Sequence, residues 1–316
     1  MPDNSISRVA IIGFGEAGGI FAKDLAARGI DVSVFDILFN STRQRQPMLK
    51  KAKACGVAAA RNLKECVENA ELVISAVTAS SDLDVARDVG RILGKGQIFL
   101  DINSVSPETK RKAAGHFARI GARYVEAAVM SPVPQKRLQV PMLLGGPHAC
   151  EAAESLRKIG MNATPVSDQF GVASAVKMCR SVVIKGLEAL VVESLFGARK
   201  YGAEDKVLAS LAATFPDMGW EGELPDYLIS RVAEHGLRRA TEMREVAQTL
   251  KHVGIVPMMA LATAERQEQL VREMAKRKIV YDPDEPFSWR SLSDAAGRQP
   301  RRSKTGKDED TTSTGR

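Results

Sequence analysis

The sequence predicts an α/β domain followed by an all-α domain that begins with a long interdomain helix. Three observations predict this fold class. Short apolar, β-branched runs alternate with helical or polar stretches as far as residue 167, which is typical of a doubly wound parallel sheet. A glycine-rich turn links the first such run to the first helical stretch. From residue 171 onward the apolar residues recur at helical spacing, and no strand pattern of comparable quality interrupts them.

The first predicted unit contains the pattern Gly13-x-Gly15-x-x-Gly18 between an apolar strand at residues 9–12 and a helix. Gly13 permits a tight turn, Gly15 lets backbone N–H groups approach a pyrophosphate, and Gly18 lets the helix pack close to the strand. Asp36 lies eighteen positions after the last glycine and can accept both ribose hydroxyls of an adenosine. The unit is therefore predicted to be a Rossmann-type dinucleotide-binding domain.

Asp36 favours NAD as the cofactor, because a carboxylate would face the negative 2′-phosphate of NADP. NADP remains an alternative, since Arg43 or Arg45 could bind that phosphate if Asp36 turned away. The residues predicted to contact the cofactor lie in the glycine turn and at the ends of the strands around it: Gly13, Phe14, Gly15, Glu16, Ala17, Gly18, Asp36, Val77 and Asn103.

Four later runs have the strand pattern, at residues 72–76, 98–102, 124–129 and 142–144. Helices are predicted around these runs, at residues 48–55, 63–69, 82–93, 107–120 and 150–159. The strands would extend the parallel sheet of the first domain, which we predict to span residues 1–167.

The second predicted domain spans residues 168–297 and is expected to serve substrate binding and dimerisation. Its helical patterns lie at residues 172–200, 203–213, 225–252 and 257–278. The first of these helices, about 45 Å long at 1.5 Å per residue, exceeds what one small domain can cover. This length favours a helix shared at a domain or subunit interface, so we expect a homodimer.

The net charge of +7 owes +3 to the tail, residues 298–316, which holds six Lys/Arg against three Asp/Glu. This basic tail has almost no apolar residue to bury and is predicted to be disordered. The rest of the chain is only mildly basic and lacks a basic stripe interleaved with aromatic residues. We therefore expect no nucleic-acid partner.

No run of about eighteen apolar residues is present, so no membrane span is expected. The start of the sequence lacks the basic and apolar regions of a secretory signal. The four cysteines form no Cys-x-x-Cys pair, which favours a reducing compartment over a disulfide framework. We expect a cytoplasmic protein and predict no metal site.

Two segments beyond the glycine turn carry candidate catalytic side chains. The segment DINSVSP at residues 101–107 follows a strand and opens a helix, so it lies at the carboxyl edge of the sheet, where ligands bind in open α/β folds. Asn103 and Ser104 can bond a substrate carboxylate or hydroxyl, whereas Ser106 is predicted to cap the helix. Lys177 lies among apolar residues on nearly every face of its helix, and burial can bring the pKa of a lysine into the range useful for proton transfer.

In this order the motifs resemble those of the β-hydroxyacid dehydrogenase superfamily, with an NAD-binding domain like that of 6-phosphogluconate dehydrogenase. The resemblance spans residues 8–200 and includes the glycine turn, the Asp-x-Asn-Ser segment with its proline, a loop after the next strand, and a lysine on a long helix. It implies an NAD(P)-dependent oxidoreductase in which Lys177 is the general acid/base and Asn103, Ser104 and Ser131 orient the substrate. Residues 235–245 resemble a C-terminal helical domain without an assigned function.

Two positions depart from the pattern of that superfamily. Arg180 and Ser181 stand where it usually has a pair of asparagines; Ser181 is one turn from Lys177 and is predicted to bond the substrate or the lysine. Around Ser131 the loop reads Val-Met-Ser-Pro-Val-Pro instead of Ser-Gly-Gly, so it has fewer free amides and more apolar surface. We expect a small anionic substrate that is not one of the smallest hydroxyacids.

His235, Arg238, Arg239 and Glu242 share one helical face, since they occupy positions i, i+3, i+4 and i+7. One interpretation is that His235 and Arg239 contact an anionic substrate, with the arginines as a fork. The other is a ladder of salt bridges within the helix, which the spacing of Arg238 and Glu242 fits equally well.

The sequence thus predicts an enzyme that interconverts a hydroxyacid-like alcohol and its carbonyl by hydride transfer. Imine reduction is an alternative that Lys177 disfavours, because the lysine is typically absent from such relatives. A decarboxylating dehydrogenase of the phosphogluconate type is a second alternative and needs a phosphate site, for which only Arg238 and Arg239 are candidates. A non-catalytic NAD(H)-binding sensor is a third.

Overall fold

A computed structural model of the chain describes residues 6–118 and 120–297. The tail predicted to be disordered, residues 298–316, lies outside the described residues. By its internal contacts the chain divides into two compact units. The first is Met1–Gly186 together with Arg238–Ala264, and the second is Leu187–Leu237 together with Glu265–Arg316. The long helices at Val172–Lys200 and Leu224–His252 each contribute to both units, and the domain boundary near residue 167 stays a prediction.

The first unit contains one eight-stranded sheet in the order β3-β2-β1-β4-β5-β6-β7-β8. The strands are β1 Arg8–Ile12, β2 Asp31–Phe35, β3 Ala58–Ala59, β4 Leu72–Ser75, β5 Ile98–Asp101, β6 Arg123–Val129, β7 Met142–Gly145 and β8 Ala163–Ser167. The α/β class and the strands predicted after the first unit are confirmed. The sequence patterns missed β3 and β8: β3 has only two residues, and β8 has one fully buried residue and contains Pro165.

One strand departs from the predicted parallel sheet, because β7 runs antiparallel to β6 while every other neighbouring pair is parallel. The connection from β6 to β7 contains only a single helical turn at Val133–Lys136 and a 3-10 turn. A parallel neighbour needs a crossover, usually a full helix, to return the chain to the opposite edge. Without such a helix, the chain can only reverse direction into β7.

Helices cover both faces of the sheet. They are α1 Glu16–Ala26, α2 Arg45–Cys55, α3 Leu63–Val67, α4 Asp82–Val89, α5 Pro107–Gly115, α6 Val133–Lys136 and α7 Ala149–Lys158. Within β1 the side chains alternate between two apolar layers, with Val9 and Ile11 in one and Ala10 and Ile12 in the other. This burial on both faces explains why the strands read as continuous apolar runs.

Helices α4 and α5 are shorter than predicted. The patterns extended them to residues 93 and 120, but they end at Val89 and Gly115. At Gly90 a Cβ atom would lie only 2.8 Å from the carbonyl oxygen of His116. The chain after α4 therefore packs tightly against the chain after α5, and only glycine permits that approach.

The rest of the chain is helical, with α8 Val172–Lys200, α9 Glu204–Thr214, α10 Leu224–His252, α11 Met258–Lys276 and α12 Trp289–Gly297. The sequence patterns did not single out α12. The second unit has its own apolar core, in which Leu195, Ile229, Val232 and Trp289 are almost fully buried. Among the described residues, no helix combines the length and the apolar character needed to cross a membrane.

Candidate functional site

The glycine turn between β1 and α1 has the geometry that its spacing predicts. Gly13 adopts a φ of 91°, and a Cβ atom there would lie 2.4 Å from the carbonyl oxygen of Ala76. A Cβ at Gly18 would lie 1.9 Å from the carbonyl oxygen of Gly13. A Cβ at Gly15, by contrast, would meet no atom within 4 Å. Packing therefore requires Gly13 and Gly18, whereas the space beside Gly15 is open at the N-terminus of α1, where a pyrophosphate fits.

Asp36 follows β2 and lies next to this turn. Its Oδ2 accepts a hydrogen bond of 2.7 Å from the backbone N–H of Phe14, and its Oδ1 accepts one of 2.9 Å from the N–H of Leu38. Two backbone amides thus hold the carboxylate of Asp36, which is predicted to bind the ribose, beside the glycine turn.

The other predicted cofactor residues surround the same turn. Glu16 is exposed at the first position of α1, and Ala17 follows it, partly buried. Val77 follows β4, with its Cγ1 3.1 Å from where a Cβ of Gly13 would be. The residues present therefore fit a dinucleotide whose pyrophosphate lies at the start of α1.

Asn103 follows β5 and is buried, with 5% of its surface exposed. Its side-chain nitrogen donates to the Oγ of Ser75 at 2.9 Å and to the Oδ1 of Asp82 at 2.6 Å, and these two bonds fix the orientation of the amide. Its Oδ1 has no hydrogen-bond partner within the described part of the chain. Ser104 follows it and is partly exposed.

A buried polar cluster lies directly beneath Asn103. Asp101 accepts a hydrogen bond of 2.7 Å from the hydroxyl of Tyr124 and forms an ion pair of 2.7 Å with Lys110. Burial, reinforced by the charge of Asp101, raises the pKa of Asp82 to about 7. The sequence patterns did not single out Asp82, Lys110 and Tyr124, because in a helix or strand pattern they are ordinary polar positions.

Glu126, in the middle of β6, links the sheet to the helix that carries Lys177. Its carboxylate accepts hydrogen bonds from the backbone N–H groups of Gly171 at 2.6 Å, Ala173 at 2.8 Å and Ser174 at 3.4 Å. A carboxylate at a helix N-terminus satisfies amides that have no partner inside the helix. The start of α8 is thereby fixed one turn before Lys177.

Lys177 is partly buried on α8. Its amine makes no hydrogen bond or ion pair with residues 6–118 or 120–297. Burial lowers the pKa of Lys177 to about 8; the carboxylate of Glu242 opposes this shift, while the cations Lys110, Lys185 and Arg238 add to it. A lysine amine in this environment is present both as ammonium and as free amine near neutral pH.

Glu242 connects the cations around Lys177. It forms ion pairs with Lys185 and with Arg238, which lies one turn before it on α10. Although burial acts to raise it, these two cations hold the pKa of Glu242 below its usual value. The ion pair of Arg238 with Glu242 is the pair expected from the interpretation of this helical face as a ladder of salt bridges. Among the main charges that act on Lys177, the three cations Lys110, Lys185 and Arg238 exceed the one carboxylate, so its surroundings are positively charged.

The remaining predicted substrate residues have different environments. Ser181 donates its hydroxyl to the backbone carbonyl of Lys177 at 2.9 Å. Ser131, after β6, has a buried Oγ without a hydrogen-bond partner among the described residues. Arg239 follows Arg238 and is partly buried. The Nε2 of His235 lies 3.3 Å from the Oε1 of Glu234, and His235 belongs to the second compact unit.

Two family models match the chain. Residues 8–166 match the NAD binding domain of 6-phosphogluconate dehydrogenase. Residues 198–270 match a domain of unknown function, DUF1932. The first match covers the sheet with the glycine turn, and the second lies within the helical part of the chain.

Known proteins of similar sequence and structure agree with these matches. A conserved hypothetical protein of Sinorhizobium meliloti 1021, whose structure is solved, is 34% identical, with a TM-score of 0.77 over 92% of this chain and 96% of that one. The 3-hydroxyisobutyrate dehydrogenase of Pseudomonas aeruginosa is 28% identical over 67% of this chain and 71% of that protein. The Mycobacterium tuberculosis 3-hydroxyisobutyrate dehydrogenase is 15% identical, with a TM-score of 0.72 over 93% of this chain and all of that one, and shares the fold.

Proposed function

We propose that this protein interconverts a hydroxyacid and its carbonyl compound with Lys177 as general acid/base. The chain belongs to the family of the NAD binding domain of 6-phosphogluconate dehydrogenase. At the level of its family it is an NAD-dependent dehydrogenase of the 3-hydroxyacid type, acting on CH–OH groups. The observation that carries the proposal is the amine of Lys177, which has no partner in the described chain and a pKa lowered to about 8.

Bound NAD supplies the hydride acceptor. The protein must then remove the proton of the substrate hydroxyl, and the free amine of Lys177 can accept it. In the reverse direction the ammonium form returns that proton to the nascent alkoxide. With a pKa of about 8, Lys177 has both forms available near physiological pH. Glu126 supports this role because it fixes the helix turn that precedes the lysine.

The charge around Lys177 supports an anionic substrate. Among the main charges that act on its amine, the three cations Lys110, Lys185 and Arg238 exceed the one carboxylate, Glu242. A substrate carboxylate would balance that excess. We propose that Asn103, Ser104, Ser131, Ser181 and Arg239, all in the first unit, orient the substrate. The unpartnered hydroxyl of Ser131 supports this most directly.

The cofactor proposed for turnover is NAD in preference to NADP. Asp36 lies against the glycine turn, held by the amides of Phe14 and Leu38. Its carboxylate would repel a 2′-phosphate, whereas Arg43 and Arg45 are exposed on the chain that follows. We expect NADH to bind more tightly than NADPH.

The experiment that tests the proposal begins with titration of the purified protein with NADH and NADPH, followed by nicotinamide fluorescence. A panel of hydroxyacids and ketoacids is then screened for turnover with the tighter cofactor. Lys177→Ala should lose turnover by about 10²- to 10⁴-fold, the usual contribution of a general acid/base, and keep its affinity for NADH. Retention of turnover in Lys177→Ala would refute the proposed role, and cofactor binding without any turnover would favour a sensor.

We also propose that the chain forms a homodimer. Large apolar side chains are exposed close together in the first unit, at Val253, Ile255, Val256 and Met258, each by more than half of its surface. Exposed apolar side chains grouped in this way favour a protein–protein interface. Light scattering of the purified protein would give a mass of about twice 34.2 kDa for a dimer.

The proposed location is the cytoplasm. Cys55, Cys66, Cys150 and Cys179 are all unpaired thiols in this structure. Thiols persist in reducing compartments, whereas secreted proteins favour disulfides. Microscopy of a fluorescent fusion in the native host would test the location.

A further inference from the structure

Lys51 on α2 contacts the glycine turn through its ammonium. Its Nζ donates to the carbonyl oxygens of Phe14 at 2.6 Å and of Gly15 at 2.8 Å. The same ammonium lies 4.5 Å from the centroid of the Phe14 ring, within cation–π distance. One lysine thereby holds two consecutive peptide groups of the turn.

Gly19 explains how Lys51 reaches this position. A Cβ atom at Gly19 would lie 2.9 Å from the Nζ of Lys51 and 3.0 Å from its Cε. Any side chain there would push the ammonium away from the turn. Gly19 therefore leaves the room in which the ammonium of Lys51 lies against the turn.

Phe14 is held on both sides by opposite charges. Its N–H donates to the carboxylate of Asp36 at 2.7 Å, and its carbonyl accepts from Lys51. In a trans peptide the N–H points away from the carbonyl of the same group. The carbonyls of Phe14 and Gly15 face Lys51, so the N–H groups of Gly15 and Glu16 point away from it. These are the amides at the start of α1.

We propose that Lys51 is a positioning residue for the cofactor pyrophosphate. By binding the two carbonyls, of which that of Gly15 also accepts the helical bond from the N–H of Gly19 at 3.1 Å, it holds the amides of Gly15 and Glu16 pointing away from itself, and its charge strengthens those amides as donors. Binding to the pyrophosphate then requires no reorientation of the turn. This role concerns the cofactor alone and does not depend on the substrate or on Lys177.

The test compares Lys51→Met with Lys53→Met, a variant with the same change of charge at an exposed position on the same helix. The dissociation constant of NADH is measured by nicotinamide fluorescence. Lys51→Met should weaken NADH binding about tenfold or more, as expected for the loss of a charge-assisted hydrogen bond. Lys53→Met should change it by less than about twofold, and Lys51→Arg should restore part of the loss.

A second measurement separates positioning from general damage to the pocket. ADP-ribose contains the pyrophosphate and adenosine lacks it, so calorimetric titration of both ligands isolates the pyrophosphate contribution. Lys51→Met should weaken ADP-ribose binding by the same factor as NADH binding and leave adenosine binding unchanged. An equal loss for adenosine and ADP-ribose, or equal NADH affinities of Lys51→Met and Lys53→Met, would overturn the proposal. Neither result depends on turnover, so failure of the proposed function is recognised separately.

Discussion

Two lysines of the first unit differ sharply in their surroundings. Lys110 is 1% exposed, forms an ion pair with the carboxylate of Asp101 at 2.7 Å and donates to the carbonyl of the same residue at 2.9 Å. Lys177 is partly buried and has no such partner in the described chain. A buried charge with satisfied bonds stabilises a structure, whereas a partly buried amine without a partner has a perturbed pKa and is available for proton transfer.

The carboxylates near the two lysines differ in the same way. Asp101 is shared by Lys110, by the hydroxyl of Tyr124 and by the backbone N–H of Asn103, so its bonds are all internal. Glu242 pairs with Lys185 and Arg238 and acts on Lys177 only through its charge. The carboxylate of Asp101 is therefore bonded to its own neighbours in the fold. The carboxylate of Glu242 leaves the amine of Lys177 without a bond to it, so that amine is available for proton transfer.

The largest expected effect is on stability. Lys110→Met leaves the carboxylate of Asp101 buried without its cation, which should lower the free energy of unfolding by about 3–5 kcal/mol. Lys112→Met, at an exposed position on the same helix, should change it by less than about 0.5 kcal/mol. Lys177→Met should leave it unchanged or raise it, because a partly buried cation is removed. Urea denaturation measures the free energy of unfolding of all three variants. If Lys177→Met lowered it as much as Lys110→Met, the proposed difference between the two lysines would be refuted.

The second prediction concerns the pH dependence of turnover. Oxidation needs the free amine of Lys177, so kcat/KM should rise about tenfold per pH unit below its pKa of about 8 and level off above it. Reduction needs the ammonium, so kcat/KM should be level below that pH and fall above it. Initial rates between pH 6 and 10 in both directions test this. A flat profile in both directions would assign the proton transfer to another group.

The third prediction is a shift of those profiles. The carboxylate of Glu242 acts to raise the pKa of Lys177, so Glu242→Gln should lower that pKa and move both inflections toward lower pH. Glu245→Gln removes the same charge from the same helix, but Glu245 is not among the main charges that set the pKa of Lys177. Its profiles should stay those of the unaltered protein. A shift toward higher pH in Glu242→Gln would contradict the electrostatic account.

The smallest effect is expected at Ser181. Its hydroxyl bonds the carbonyl of Lys177, one turn before it on α8, and can still accept a hydrogen bond from the substrate. Ser181→Ala should raise KM by about 2- to 10-fold, the loss of one neutral hydrogen bond, and leave kcat nearly unchanged. Cys179→Ala, at an exposed neighbour, serves as the control. If Ser181→Ala leaves KM unaltered, the hydroxyl of Ser181 bonds only the helix backbone and does not contact the substrate.

Local patterns were sufficient for most of the fold. The glycine spacing, the apolar runs of β4, β5 and β6, and the bounds of α8 at residues 172–200 were all predicted, because each depends on residues close in sequence. The direction of β7 was wrong, since it depends on whether the connection from β6 can cross the sheet.

The sequence by itself determined that a dinucleotide turn, an Asp-x-Asn-Ser segment and a lysine on an apolar helix exist in this order. Only the tertiary structure decided which charges act on Lys177, that Asp82 and Ser75 orient Asn103, and that Lys51 holds the glycine turn. The physical reason is distance along the chain. A helix or strand is set by neighbouring residues, but a pKa and a hydrogen-bond network depend on groups from separate elements brought together by folding.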